Sequence, residues 1–169
     1  EFFWESASIS PIKDDKGQII HYLAIKEDIT AKKLIEDQIR YSEKFLNSLL
    51  DQLPQALMAF NTDGGLMRCN KSAKNTFYLE CTPEKSTING FSDMAFTYTG
   101  LSEILQQAHK GNESNSLEIV IDLSKFNVKN AEKESRRWFS VSAFSVNDFQ
   151  SETSAIVLLL EDISNRKKN

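Results

Sequence analysis

The chain repeats itself once, at long range. Residues Trp4 to Lys33 return without a gap at Trp138 to Lys167, displaced by 134 positions. Trp4 falls on Trp138, Ser6 on Ser140, Ser8 on Ser142 and Ile12 on Val146. Further on, Glu27-Asp28-Ile29-Thr30 falls on Glu161-Asp162-Ile163-Ser164, and Lys32-Lys33 on Arg166-Lys167. Solenoid periods run about 20–50 residues, so this spacing is the period of a whole domain. The chain reads as one complete repeat preceded by the tail of another.

That tail is a hairpin. Phe2 to Ile12 is rich in aromatic and β-branched residues, Asp14-Asp15-Lys16-Gly17 is a turn signal, and Gln18 to Lys26 returns. Two strands alone are marginal in water, so the hairpin must lean on something else. After Asp28-Ile29-Thr30 the period changes from 2 to 3.6, with Thr30 placed to cap a helix. Ile35, Ile39, Leu46, Leu49 and Leu53, with Ser42 filling the gap, step by four and three in alternation. That spacing is a heptad stripe, which favours a two-helix seam over an amphipathic helix lying on its own domain. Pro54 ends the helix.

Beyond it, Gln55 to Phe60 and Leu66 to Cys69 read as strands around the turn Asn61-Thr62-Asp63-Gly64-Gly65. Asn70 caps a short helix from Lys71 to Leu79, and Thr82 to Thr99 reads as irregular. Leu101 to His109 is helical, closed by Gly111. Leu117, Ile119, Ile121 and Leu123 alternate with polar residues as a half-buried strand, with Val120 on the wet face. Asn127 to Ser135 reads as an exposed hairpin tip. Arg136 to Val146 and Ser154 to Leu160 are strands around a loop, and a last helix starts at Asn165. The expected class is α+β: a five-stranded antiparallel sheet with short helices on one face, preceded by a β-hairpin and a long linker helix. The divisions are 1–30, 31–54, 55–164 and 165–169.

Composition excludes several functions. The chain is 40% apolar and 10% aromatic, with eleven Phe, which suffices for a real core. A net charge of −4 without a dense Lys/Arg stripe argues against nucleic-acid binding. Cys69 and Cys81 form no CxxC pair, which fits a reducing, cytoplasmic setting. The longest apolar run, Ala155 to Leu160, falls far short of the roughly 20 residues that cross a bilayer, so no direct membrane insertion is expected.

The element order, the turn at Asn61 to Gly65, Asn70 and the ending Glu161-Asp162-Ile163-Ser164 together resemble a PAS domain over about Gln55 to Ser164. Residues 1–30 resemble only the C-terminal hairpin of such a domain, the PAC segment. Trp4, the run Ile9-Ser10-Pro11-Ile12, Gly17 and Glu27-Asp28-Ile29-Thr30 carry that match. The resemblance implies a sensory and signal-relay module of a multidomain bacterial-type signalling protein, such as a two-component histidine kinase or a diguanylate cyclase. It implies a homodimer through Ile35, Ile39, Leu46, Leu49 and Leu53, and an output domain downstream of this chain. The alternative is a structural dimerisation spacer with a filled core and no ligand.

Site candidates follow. Met58, Phe60, Asn70, Phe77, Phe91, Met94, Phe96, Tyr98, Ile119, Phe139 and Val141 would either line a ligand cavity or fill a plain core, and a small-molecule ligand is left open. Asp28, Thr30, Asp162, Ser164 and Arg166 are the signal-exit residues. There the hydroxyls cap the outgoing helices, the carboxylates favour their positive ends, and Asp162 pairs with Arg166 at i, i+4. The cysteines do not match the flavin-adduct motif of light-sensing relatives, and His21 and His109 have no haem-pocket pattern. Neither flavin nor haem is expected, nor a metal. No Ser/His/Asp or Cys/His pattern or phosphate loop is visible, and Glu118, Asp122 and Glu161 read as solvent-facing, so no catalysis is expected of the chain itself.

Overall fold

The computed structural model describes residues 2–79, 87–126 and 135–168. Stretches 80–86 and 127–134, with Cys81, Pro83 and most of the expected hairpin tip, lie outside the described residues. The chain divides into two compact units, Glu1–Leu46 and Asn47–Asn169.

The first unit holds the hairpin and most of the long helix. Strands β1 (Glu5–Lys13) and β2 (Ile19–Asp28) pair antiparallel, with Ala7 opposite Lys26 and Ile9 opposite Ala24. The register slips once, between Ile12 and Lys13. In the turn, the Asp14 carboxylate accepts the N–H groups of Lys16 and Gln18, and Gly17 takes the left-handed φ of 80°. Every residue of both strands is exposed. Helix α1 (Thr30–Gln52) has no fully buried residue. Its heptad residues Ile35, Ile39, Leu46, Leu49 and Leu53 are 38–57% exposed.

The second unit is built on strands β3 (Ala56–Phe60), β4 (Leu66–Cys69), β5 (Ser114–Asp122), β6 (Arg136–Asn147) and β7 (Thr153–Asp162). They form one antiparallel sheet in the order β4-β3-β7-β6-β5. Alternation along β3 and β7 sends Ala56, Met58, Phe60, Ile156, Leu158 and Leu160 to one face, where all are buried. Helices α2 (Lys71–Phe77), α3 (Met94–Thr99) and α4 (Leu101–His109) contribute the other side of the core, and α5 (Ser164–Lys168) leaves the sheet. A single 3-10 turn at Leu123–Lys125 follows β5.

Two details depart from the sequence-based expectation. The stretch read as irregular contains α3, whose first turn is capped by Asp93 accepting from the Ala95 N–H. Helix α2 stops at Phe77, where Tyr78 turns left-handed at φ 53°.

The 134-residue repeat extends to the hydrogen bonds. Val141 stands opposite Leu160 and Ala143 opposite Leu158, as Ala7 and Ile9 stand opposite Lys26 and Ala24. The register slip recurs between Val146 and Asn147. The loop after β6 is the same turn: the Asp148 carboxylate accepts from Gln150 and Glu152, and Ser151 holds φ 63° where the first copy has Gly17.

The core is a chain of aromatic edges. Phe60 meets Phe96 at 5.6 Å between ring centroids, Phe96 meets Phe126 at 5.4 Å, Phe126 meets Phe77 at 5.0 Å, and Phe77 meets Phe139 at 5.6 Å. Such pairs contribute about 0.5–1.5 kcal/mol each beyond area burial. Gly90 lets the segment before α3 lie against this core, because a Cβ there would meet Leu105 Cδ1 at 2.6 Å and Phe60 Cε1 at 2.8 Å. Phe77→Ala, which removes a fully buried ring that touches both Phe126 and Phe139, is expected to lower unfolding free energy by about 3–5 kcal/mol, read from urea denaturation.

Candidate functional site

The two ends of the complete repeat, where helices enter and leave the sheet, carry its most specific polar chemistry. At the exit, β7 ends and the chain turns into α5. The Ile163 N–H donates to the Trp138 carbonyl at 2.8 Å, extending the β6–β7 ladder. The Trp138 N–H then donates to Ser164 Oγ at 3.0 Å, and the Ser164 N–H donates to Asp162 Oδ1 at 2.9 Å. The Lys167 N–H closes the first helical turn on the Ile163 carbonyl at 3.1 Å.

The same four bonds recur at the end of the first hairpin. Ile29 N–H donates to Trp4 O at 2.9 Å, Trp4 N–H to Thr30 Oγ1 at 2.9 Å, Thr30 N–H to Asp28 Oδ1 at 2.9 Å, and Lys33 N–H to Ile29 O at 3.0 Å. The hydroxyl role differs from the one expected. Thr30 and Ser164 do not spend their oxygens on their own helices; each accepts the N–H of the tryptophan at the start of the neighbouring strand. Asp28 and Asp162 take the helix-side N–H instead. The Thr30 hydroxyl and N–H beside it hold the Asp28 carboxyl below its usual range.

Asp162 does not pair with Arg166. Its carboxylate faces Arg137 Nη1 at 3.5 Å across β6, because the strand–helix bend carries Arg166 away along α5. Arg166 Nη2 instead reaches Glu118 Oε1 of β5 at 3.1 Å, and Lys167 Nζ contacts the other oxygen of the same carboxylate. Lys167 Nζ also lies 5.1 Å from the centroid of the Trp138 ring. Glu118 thus ties α5 to the sheet edge, and the Lys167 hydrogen bond, followed by the charges of Lys167 and Arg166, holds its carboxyl below the usual value.

At the entry, Asn70 is 2% exposed and has every hydrogen-bonding group of its amide used. Its nitrogen donates to the Leu50 and Gln55 carbonyls, and its oxygen accepts the Leu57 and Ala73 N–H groups, all at 2.9 Å. One side chain thereby joins the end of α1, the start of β3 and the first turn of α2. Asp51 Oδ1 accepts the Lys71 N–H at 2.9 Å, and Ser72 Oγ donates to the Pro54 carbonyl at 2.7 Å. The sequence marks Asn70 as a cap, which it is; it gives no sign of Asp51 and reads Glu118 only as solvent-facing, since no local pattern pairs them with residues 20 and 48 positions away.

Of the cavity candidates, Met58, Phe60, Phe77, Phe96, Phe139 and Val141 are at most 1% exposed and share the core, while Ile119 and Phe91 pack at its margin. Met94 and Tyr98 do not join them; each is 69% exposed. The reason is α3: in a helix, positions 94 and 98 share one face and Ala95, Phe96 and Thr99 the opposite one, and the latter faces the core. Thr97 Oγ1 donates to the Asp93 carbonyl, and Ser142 Oγ accepts the Ser116 N–H. An open groove of about 450 Å³ lies instead beside the entry clamp, lined by Leu50, Asp51, Leu57, Arg68 and Lys74 among others. His21 and His109 stand exposed, and Cys69 is buried at the end of β4. Among the described residues, no group of three or more His, Cys, Asp or Glu side chains is placed to hold a metal ion.

No family model and no curated protein matches the sequence. Solved structures do match the fold. The PAS domain of an HTR-like protein from Haloarcula marismortui aligns with 78% of this chain and 99% of its own, at 14% identity and a TM-score of 0.52. A PAS domain from Colwellia psychrerythraea aligns over 73% of this chain and 98% of its own, at 15% identity and 0.50. That of Bordetella pertussis BvgS aligns over 79% and 93%, at 18% identity and 0.50. The fold is that of a PAS domain.

Within this PAS fold the entry clamp and the exit ladder are separately testable. Asn70→Asp keeps the acceptor of Leu57 and Ala73 but sets a carboxylate oxygen against two carbonyls. It is expected to cost about 2–5 kcal/mol in urea denaturation at pH 7, and less at a pH where the carboxyl carries a proton to donate. At the exit, Glu118 has a folded pKa below its unfolded 4.5, so its contribution is fully present above that value and is lost as pH falls through the depressed one. Amide exchange of Ser164–Lys168 in the PAS domain is therefore expected to accelerate as pH drops below 4.5, relative to a strand control such as Leu158, and Glu118→Gln to remove that dependence.

Proposed function

We propose that this chain is a sensory and signal-relay segment of a larger signalling protein. In that reading the hairpin ends one PAS repeat as its PAC segment. Helix α1 carries the state of that repeat into the complete PAS domain, and α5 carries it onward to an output domain outside this chain. The observation that carries the reading is the duplicated four-bond junction, in which a helix start is wired into the final rung of a sheet at both places. A change in strand pairing there has to move the first turn of a helix. Each such bond contributes about 0.5–1.5 kcal/mol, a scale suited to a two-state element. The chain is assigned no reaction of its own; chemistry belongs to the output domain, and the setting is cytoplasmic. Among the described residues no helix is long and apolar enough to cross a membrane.

Homodimerisation through α1 completes the proposal. Ile35, Ile39, Leu46, Leu49 and Leu53 form a stripe left exposed among the described residues, flanked by the exposed Leu34 and Phe45. A second copy of α1 supplies the complementary stripe, in the manner of a two-stranded coiled coil. The structural-spacer reading draws on the aromatic core, whose interlocked rings leave the complete repeat with a packed interior. Light scattering coupled to size exclusion is expected to give a dimer for the wild type and a monomer for Leu46→Asp/Leu49→Asp, with far-UV circular dichroism otherwise preserved. A wild-type monomer at high micromolar concentration would remove the dimeric relay.

A further inference from the structure

Of the six glycines in the chain, two follow an asparagine or an aspartate. These pairs, Asp63-Gly64 and Asn89-Gly90, are fastened to each other across 26 positions. The Gly90 N–H donates to the Gly64 carbonyl at 2.7 Å, and Asn89 Nδ2 donates to the Asp63 carbonyl at 2.9 Å. Asn89 Oδ1 accepts the N–H groups of Phe91 at 3.0 Å and Ser92 at 3.2 Å. On the facing side the Gly64 N–H closes the turn on the Asn61 carbonyl, and Asn61 Oδ1 accepts from Asp63 and Gly65. An asparagine before glycine is the arrangement most open to attack on the side-chain amide by the next backbone nitrogen, since glycine has no Cβ to stand in the way. Here that nitrogen is buried and spent on Gly64, and the amide is pinned by three bonds.

We propose that Asn89 is a site of spontaneous deamidation that this clasp holds unreactive, so that it is modified only when the Asn61–Gly65 turn and the Asn89-Gly90 segment come apart. Reaction requires the Gly90 nitrogen to lose its proton to solvent and to meet the face of Asn89 Cγ at about 3–3.5 Å. The N–Cγ bond forms, the Cγ–Nδ2 bond breaks, and Nδ2 leaves as ammonia with a proton from water. The five-membered imide that results takes up one water at either carbonyl, which leaves aspartate or isoaspartate at position 89 with no change of oxidation state. Asp63 reacts more slowly, because a carboxylate is a poorer electrophile than a neutral amide. The change runs one way. A carboxylate at position 89 has no donor for the Asp63 carbonyl, and isoaspartate adds a carbon to the main chain where there is no room for one. A Cβ on Gly90 would meet Leu105 Cδ1 at 2.6 Å and Phe60 Cε1 at 2.8 Å, and one on Gly64 would meet Phe91 Cδ2 at 2.6 Å. Modification therefore leaves the segment that leads into α3 unable to close again on Phe60 and Leu105.

The test uses the whole chain at mildly alkaline pH, in buffer, in graded guanidinium and fully unfolded. Peptide mass spectrometry reads each asparagine, and electron-transfer fragmentation separates aspartate from isoaspartate. In the unfolded chain Asn89 is expected to deamidate faster than any other asparagine, and folding is expected to slow it by at least about tenfold. Across the guanidinium series its rate is expected to rise in step with amide exchange of Gly90, read by NMR. Asn61→Ala, which loosens the turn from the facing side, is expected to raise the rate in buffer; if that variant fails to fold, the guanidinium series of the wild type decides. Equal rates in the folded and unfolded chain, or deamidation uncoupled from Gly90 exchange, overturn protection by the clasp. Another asparagine reacting first in the unfolded chain overturns the choice of Asn89. Slow Gly90 exchange regained by the isolated modified protein overturns the one-way step.

Discussion

A single backbone N–H, that of Trp138, sets the problem that the exit of this domain solves. Strand β6 runs on to Arg136, past Phe139 opposite the last β7 residue Asp162, so β7 offers the Trp138 N–H no backbone carbonyl. An unpaired donor at a sheet margin costs free energy of the order of a lost hydrogen bond. Ser164 supplies the missing acceptor from its side chain, and Asp162 fixes Ser164 by holding its N–H. The first turn of the helix is therefore also the last rung of the sheet. Thr30 and Asp28 do the same for Trp4, so α1 and α5 begin under one rule.

The entry is built differently and more firmly. Asn70 is buried with all four of its hydrogen bonds made, so it cannot yield one element without stranding the groups of the other two. The exit bonds lie at exposed positions where water can replace them, and its ion pairs to Glu118 are screened by solvent. Between them stands a ring-packed core whose large side chains each carry several kcal/mol of packing. Stiffness falls from core to clamp to exit. Of the three, the exit alone rests on bonds that water can replace.

Much of this was legible in the sequence because it was local or periodic. The alternation of β3 and β7, the heptad stripe of α1 and the stop at Pro54 declare themselves within a few residues. The 134-residue repeat even announces a turn, since Asp14 and Asp148 organise the same loop although Gly17 becomes Ser151. What stayed hidden is set by partners far along the chain. The Ser164 hydroxyl looked like a cap because Trp138, 26 residues earlier, cannot be seen beside it in one dimension. Asp162 looked bound to Arg166 because i, i+4 is a helical neighbour, while the strand–helix bend gives Arg137 to Asp162 and Glu118 to Arg166. Helix α3 is six residues long, too short for its period to show, and with it went the placement of Met94 and Tyr98.

The contrast between the two hairpins separates two kinds of constraint. At the junction each residue answers to backbone geometry: a hydroxyl must meet a strand N–H, a carboxylate must meet a helix N–H, and few side chains can do either. There the copies agree, Thr for Ser being the one change, and it keeps the oxygen. On the inner face a residue answers only to whatever packs against it, and there Phe139 and Leu160 correspond to Glu5 and Lys26. The two copies therefore share a strand–helix junction and differ in the side chains of the face beside it. In the second copy that face is filled by interlocking phenyl rings, while Asn70 holds the Leu50 carbonyl at the end of α1 whatever packs on the sheet.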